Sequence, residues 1–476
     1  MSKQIYRIDE SIINIIEELP IDYEIDTDIE SDEEDLIVTS SAKQDADDIC
    51  TFDAVIEEEI LRQQEEEDEE EGNKNEEHET IINPQPSTSA AALVTHRPAS
   101  ASDISSTGKR KTKNQKKTSQ PERTWEKVDL TTKITDYELP EGPVEGMFVN
   151  CACSTDYFLK FIQNTLENIC FQSNLYAVQR NKVLNLKEEE LLTFIGINFL
   201  MGYHVLPSWK DYWSGSDDLG VEIVKKTMPR NRFELILGNL HIVDNTTIDK
   251  ECRDRLAKVR PFLDTIESNF DDFYHGTREL AVDESMIRFK GRSSMKQYNP
   301  MKPIKRGYKL WCLADQRGYI KRFTVYQGRD EVVEEEFEGF GLGERVVLSL
   351  TKKEWGESRV VYFDNFFTSV KLLEKLKSEK TLACGTVRIT RQGTPKNFMS
   401  DKEMKRGDFD HRSTCTGISF FKWMDKKAVF FSSNFHGSES TEVRRKDGRG
   451  EVHDVNCPVV VKDYNKYMGV WTMRIS

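Results

Sequence analysis

Two apolar, strand-like runs in this 476-residue chain each carry one aspartate, inside the run or at its end. Glu279-Leu-Ala-Val-Asp283-Glu-Ser-Met-Ile-Arg-Phe289 holds Asp283 inside the run, and Val360-Val-Tyr-Phe-Asp364 ends on Asp364. An ionised carboxylate in such surroundings is costly unless a cation or hydrogen bonds compensate it, so two of them suggest a shared divalent ion. Strand aspartates satisfied by neighbouring donors are the alternative reading.

The charge is unevenly spread. Residues 1–108 hold 31 Asp+Glu against 6 Lys+Arg, a net of −25, which leaves +9 of the chain's −16 to residues 109–476. A stretch so acidic and so poor in apolar residues cannot bury enough surface to order itself, so residues 1–122 are expected to form a disordered acidic tail ending in the basic cluster 109–117. The basic excess of the remainder suits phosphate binding, although many proteins that never meet nucleic acid share it. The nine cysteines are scattered without a Cys-x-x-Cys pair, which points to free thiols in a reducing compartment rather than to zinc. No run approaches the length of a membrane span and the start lacks a signal peptide's pattern, so the expectation is a soluble intracellular protein.

Between about residues 140 and 245 the apolar residues fall at helical spacing: Tyr157, Phe158, Phe161, Ile162, Leu166 and Ile169, then Leu191 to Leu200. Trp209, Tyr212 and Trp213 read as core aromatics. From Glu279 the pattern changes to strands over Leu280–Phe289, Gly307–Leu313 and Tyr319–Val325, then Val360–Phe363. A helix capped by Thr368 or Ser369, with Val370, Leu373 and Leu376 on one face, precedes a strand over Thr381–Val387. A three-strand meander followed by strand, helix and strand is the order of an RNase H-like core.

Asp283-Glu-Ser-Met, Phe289-Lys-Gly-Arg292, Lys302-Pro-Ile-Lys-Arg-Gly-Tyr-Lys309 and Asp364-Asn-Phe-Phe-Thr-Ser369 closely resemble the piggyBac family of DNA transposases and their domesticated descendants. Phe194-Ile-Gly-Ile-Asn-Phe-Leu-Met-Gly202, Asp211-Tyr-Trp-Ser214 and Met228-Pro-Arg-Asn-Arg-Phe233 support the match, which covers roughly residues 140–470. The resemblance implies an α/β fold: a helical dimerisation and DNA-binding domain over 123–278, an RNase H-like catalytic core over 279–390, an inserted subdomain over 391–458, and a return to the core over 459–476. It implies that Asp283 and Asp364 are catalytic ligands of Mg2+ or Mn2+, that DNA is the partner with insertion at TTAA sites, and that the protein is nuclear and forms a homodimer. Lys302, Lys305, Arg306 and Lys309 become candidates for phosphate contact, with solvated strand charges as the alternative.

The family's third acid lies in Gly-Gly-Val-Asp-x-x-Asp, shortly after a Tyr-Asn-x-x-x-Gly segment. Here the chain reads Tyr464-Asn-Lys-Tyr-Met-Gly-Val-Trp471-Thr-Met-Arg-Ile-Ser476. Asp463 precedes the expected position by about nine residues, roughly 13 Å along a helix. Through the genetic code, loss of one G from codons for Gly-Gly-Val-Asp gives Gly469-Val470-Trp471-Thr472, so the expectation is a one-base frameshift, with a splice into unrelated sequence as the alternative. A site missing this acid is expected to bind metal weakly, and a DNA-binding surface without the family's later helices and cysteine-rich, zinc-binding end is expected to bind DNA weakly. A domesticated, non-catalytic DNA-binding or chromatin-associated protein is the competing function.

Overall fold

Val360-Val-Tyr-Phe363 is β-branched and aromatic without a polar break, as suits a strand covered on both faces, and it lies in the interior of a large sheet. The computed structural model of the chain describes residues 123–130, 136–300, 302, 304–447 and 450–475. The expected acidic tail 1–122 with its basic cluster lies outside the described residues.

After a short strand β1 (Trp125–Glu126) the chain is helical: α1 (Ser154–Gln179), α2 (Glu188–Tyr203), a 3₁₀ turn (Trp209–Trp213), α3 (Glu222–Thr227), α4 (Arg230–Leu237) and α5 (Arg260–Phe273). Ile162, Leu166 and Ile169 recur on one stripe of α1 and share a buried cluster with Leu191, Phe194 and Ile197 of α2 and Phe233 and Ile236 of α4. Tyr212 is buried, and Trp209 and Trp213 pack on Phe233 at 5.6 and 5.0 Å, the core role their sequence context suggests. Glu188, Glu189 and Glu190 open α2, where the exposed N–H groups of the first turn favour negative charge.

The remainder is β2 (Glu279–Arg288), β3 (Gln297–Tyr298), β4 (Arg306–Asp315), β5 (Ile320–Val325), α6 (Glu331–Glu336), α7 (Leu342–Thr351), β6 (Val360–Phe363), α8 (Val370–Ser378), β7 (Leu382–Thr386), β8 (Phe409–Thr414), β9 (Ser419–Met424), β10 (Ala428–Ser433), β11 (Ser440–Lys446), β12 (Val452–Pro458) and α9 (Val459–Ile475). The sheet runs β1-β8-β9-β10-β7-β6-β2-β4, with β3 and β5 both paired to β4. β2–β6 and β6–β7 are parallel and the other pairs antiparallel. Strands β8 to β10 continue this sheet from β7, while β11 and β12 form a separate hairpin.

Alternation along the strands divides the core. Val282, Leu313, Val361 and Phe363 pack with Val347 and Leu348 of α7 and Val370, Leu373 and Leu376 of α8. Ala281, Tyr362, Cys384 and Phe421 face the other way, against Val460, Val461 and Met468 of α9. A buried ion network ties α5 to the sheet: Arg322 reaches Asp271 at 3.0 Å and Glu354 at 2.7 Å, and Arg359 also pairs with Glu354. No described helix is long and apolar enough to cross a membrane.

Candidate active site

The parallel register fixes the two aspartates relative to each other. Val282 of β2 pairs with Phe363 of β6, and Phe363 with Gly385 of β7, so Asp283, Asp364 and Thr386 follow one step further in the same register. Neighbouring strands lie about 4.8 Å apart. Alternation places all three on the α9 side, because Ala281, Tyr362 and Cys384, two residues before each, face that helix. β6 stops at Asp364 because the carboxylate accepts the Phe366 N–H at 2.8 Å and the carbonyl accepts the Thr368 hydroxyl at 2.7 Å. The turn packs closely on β7, where a Cβ on Gly385 would lie 2.3 Å from the Thr368 hydroxyl and 2.5 Å from the Phe363 carbonyl. Ser369, rather than Thr368, then caps α8 by accepting the Leu372 N–H at 3.0 Å.

Both carboxylates are largely, though not fully, withdrawn from solvent, at a cost. Burial, opposed by Lys302 and by the Glu284 N–H, pushes the Asp283 carboxyl up to about 7. Burial also raises Asp364, against the Phe366 N–H that favours its ionised form. The Glu284 N–H donates to Asp283 at 2.7 Å, and the Lys302 ammonium stands 3.9 Å from Asp283. Cys312, paired with Asp283 across β2–β4, is pushed up to about 12 by burial and then by the Asp283 charge, so its thiol stays protonated.

The four basic candidates separate. Lys309 pairs with Glu284 at 2.6 Å and lies over the Trp311 ring at 4.0 Å. Lys302 stands 3.9 Å from Glu284, whose carboxylate also accepts the Asn299 amide at 2.7 Å. Lys305 and Arg306 are exposed, with the Arg306 guanidinium 5.0 Å from the Tyr298 ring centre. Sequence reasoning did not single out Glu284, Thr386 or Tyr464. The signal for Thr386 is its place two residues after Cys384 on a strand aligned with β6, legible only once register is known.

Acids from the C-terminal part of the chain have partners of their own. Asp463 pairs with His436 at 3.0 Å, Asp425 with Arg406 at 2.7 Å, and Asp454 is exposed on β12 opposite Arg444. Among the described residues, the group of three potential metal ligands whose atoms lie within 4.8 Å of one another is Asp447, Glu451 and His453, beside the β11–β12 turn. No third His, Cys, Asp or Glu joins Asp283 and Asp364 by that measure among them.

A family model described as Transposase IS4 matches residues 153–474. Human PiggyBac transposable element-derived protein 3 is 33% identical over 361 residues, covering 72% of this chain and 59% of that protein. Human PiggyBac transposable element-derived protein 2 is 32% identical over 366 residues, covering 75% and 61%. The chain thus spans about three fifths of the length of these relatives. A piggyBac transposase solved by cryo-electron microscopy as a synaptic complex with hairpin DNA superposes with a TM-score of 0.59 at 21% identity, over 70% of each chain. The mixed sheet and its flanking helices are therefore a transposase fold. More narrowly, the chain belongs to the piggyBac family of transposases and transposable-element-derived proteins.

Proposed function

We propose that this protein acts on DNA through an RNase H-like core built on β5-β4-β2-β6-β7, with Asp283 and Asp364 as its metal ligands. The observation that carries the reading is the same-register aspartate pair on a buried face. The donors fit a hard divalent cation: the Asp364 charge bears on Asp283, and the adjacent Cys312 thiol is held neutral. Asp283 and Asp364 would hold Mg2+ or Mn2+, which activates an attacking hydroxyl or water and stabilises charge at a phosphodiester. Lys302 borders the pair and the exposed Lys305 and Arg306 extend outward, a placement suited to phosphate contact. Glu284 holds Lys309 and Asn299, bracing the segment that carries these cations.

Two ions need more carboxylates than this pair, and no third joins it among the described residues. Excision is accordingly expected to be weak, with nicking in Mn2+ as its upper limit. The same count favours a second reading, a domesticated DNA-binding or chromatin-associated protein. Use of TTAA targets and a homodimer rest on family membership, and nuclear residence rests on it together with Lys109-Arg-Lys-Thr-Lys113.

The test is transposon-end DNA with the full chain. Weak binding that falls steeply with salt is expected, with Mn2+-dependent nicking lost in Asp283→Ala. Absence of binding at low salt would overturn the DNA reading. Robust hairpin formation in Mg2+, abolished by Asp283→Ala, would show that another carboxylate completes the site.

A further inference from the structure

The row that holds the aspartates continues to Thr386, and α9 lays Tyr464 over it. The two hydroxyl oxygens are 3.4 Å apart, either being able to donate. That is the long limit of a hydrogen bond, so the phenol keeps bonding capacity in reserve. Its ring is fixed: Phe431 meets it edge-on at 5.5 Å, and the aromatic body packs against the cluster of Ala281, Tyr362 and Cys384. A tyrosine so placed presents an apolar body to the core and needs a polar destination for its hydroxyl. Burial and then, after its bond to Thr386, the charges of Asp364 and Asp283 bear on the phenol, which stays protonated and available as a donor.

We infer that Tyr464, backed by Thr386, is the positioning residue of the aspartate site, its hydroxyl donating to a carboxylate oxygen or a bound water of a divalent cation held by Asp283 and Asp364. This rests on the metal reading proposed above. A divalent ion with few protein carboxylates keeps several waters, and these need partners on the protein. Partners of this outer kind typically change metal affinity roughly 10- to 100-fold. Along the strand row itself Cys384 is a buried thiol and Phe431 and Phe421 are hydrocarbon, while Lys302 and Arg391 bring positive charge to the aspartates rather than the neutral donor that a phenol supplies.

Fe2+ with ascorbate and peroxide cuts protein backbone beside the bound ion, which makes it a local probe in the full chain despite its acidic first hundred residues. Cuts are expected near β2 and β6, and Asp364→Asn should remove them. In Tyr464→Phe, which keeps the ring, the Fe2+ concentration for half-maximal cutting at those positions should rise roughly 10- to 100-fold with the melting temperature unchanged. A rise below twofold would overturn the role of Tyr464 while leaving the aspartate site intact. Absence of any cutting near Asp283 and Asp364 in the unaltered chain would overturn both. Should Tyr464→Phe lose its cooperative melt, Thr386→Val, which removes the hydroxyl behind the phenol without changing volume, carries the same test with the same threshold.

Discussion

Replacing Asp283 with Asn isolates the cost of keeping a charge at the centre of the candidate site. The Asp283 carboxyl is raised from its ordinary 3.8 to about 7, by burial first, while Lys302 and the Glu284 N–H oppose the shift and Asp364 and Glu284 add to it. About three units at 1.36 kcal/mol each give about 4 kcal/mol as the upper limit of that cost. Because the folded value lies above the unfolded one, the folded state holds the extra proton between them. The contribution is therefore complete below about pH 4 and is lost as pH rises through 7. Asn keeps the acceptor for the Glu284 N–H but never ionises. In urea unfolding with EDTA, Asp283→Asn should match the unaltered protein near pH 4 and exceed it by about 2–4 kcal/mol at pH 8. Adding Mn2+ at about a hundred times its Kd should then stabilise the unaltered protein by about 2.7 kcal/mol and leave the variant unchanged. A difference between the two proteins that does not vary with pH would refute the reasoning.

Two further expectations concern the frame around the site. Glu354 is 3% exposed and faces Arg322, Arg359 and Lys321, each of which keeps a second acid at 2.9 to 3.5 Å, so Glu354→Gln should cost about 3 kcal/mol in urea unfolding, at the low end for a broken buried pair. Burial would raise Asp410, but Arg412, the Met399 N–H and Lys127 outweigh it and hold the carboxyl down to about 2; its stabilising effect is present above about pH 4 and lost as pH falls toward 2, so Asp410→Asn should lower stability by about 2 kcal/mol at pH 7 and by progressively less in acid.

How far the sequence speaks depends on whether a feature is local. Val360–Phe363 is legible to the residue because an unbroken β-branched and aromatic run has one comfortable conformation, and the Ser369 cap with Val370, Leu373 and Leu376 announces α8. β9 does not announce itself, since Lys422 interrupts Phe420, Phe421 and Trp423; in the fold that lysine is buried, its ammonium given to the Met399 carbonyl at 2.6 Å and to Asp401. Nor does α7, where Val346, Val347 and Leu348 read equally well as strand until Glu344 accepts the Gly341 N–H and fixes the first turn. The candidate site divides the same way. Each aspartate stands out in its own run, but that they share a face, and that Thr386 and Tyr464 share it with them, follows from the register of three parallel strands and the seating of a helix about a hundred residues further on. Lys302 and Lys309 look equivalent to Lys305 and Arg306 in the chain, yet only the first two reach Glu284. Lys302 stands 3.9 Å from both Asp283 and Glu284, and the Glu284 charge adds to the rise of both aspartates, so the Asp283-Glu284 dipeptide brings its two carboxylates to one shared cation that only the fold, not the spacing along the chain, reveals.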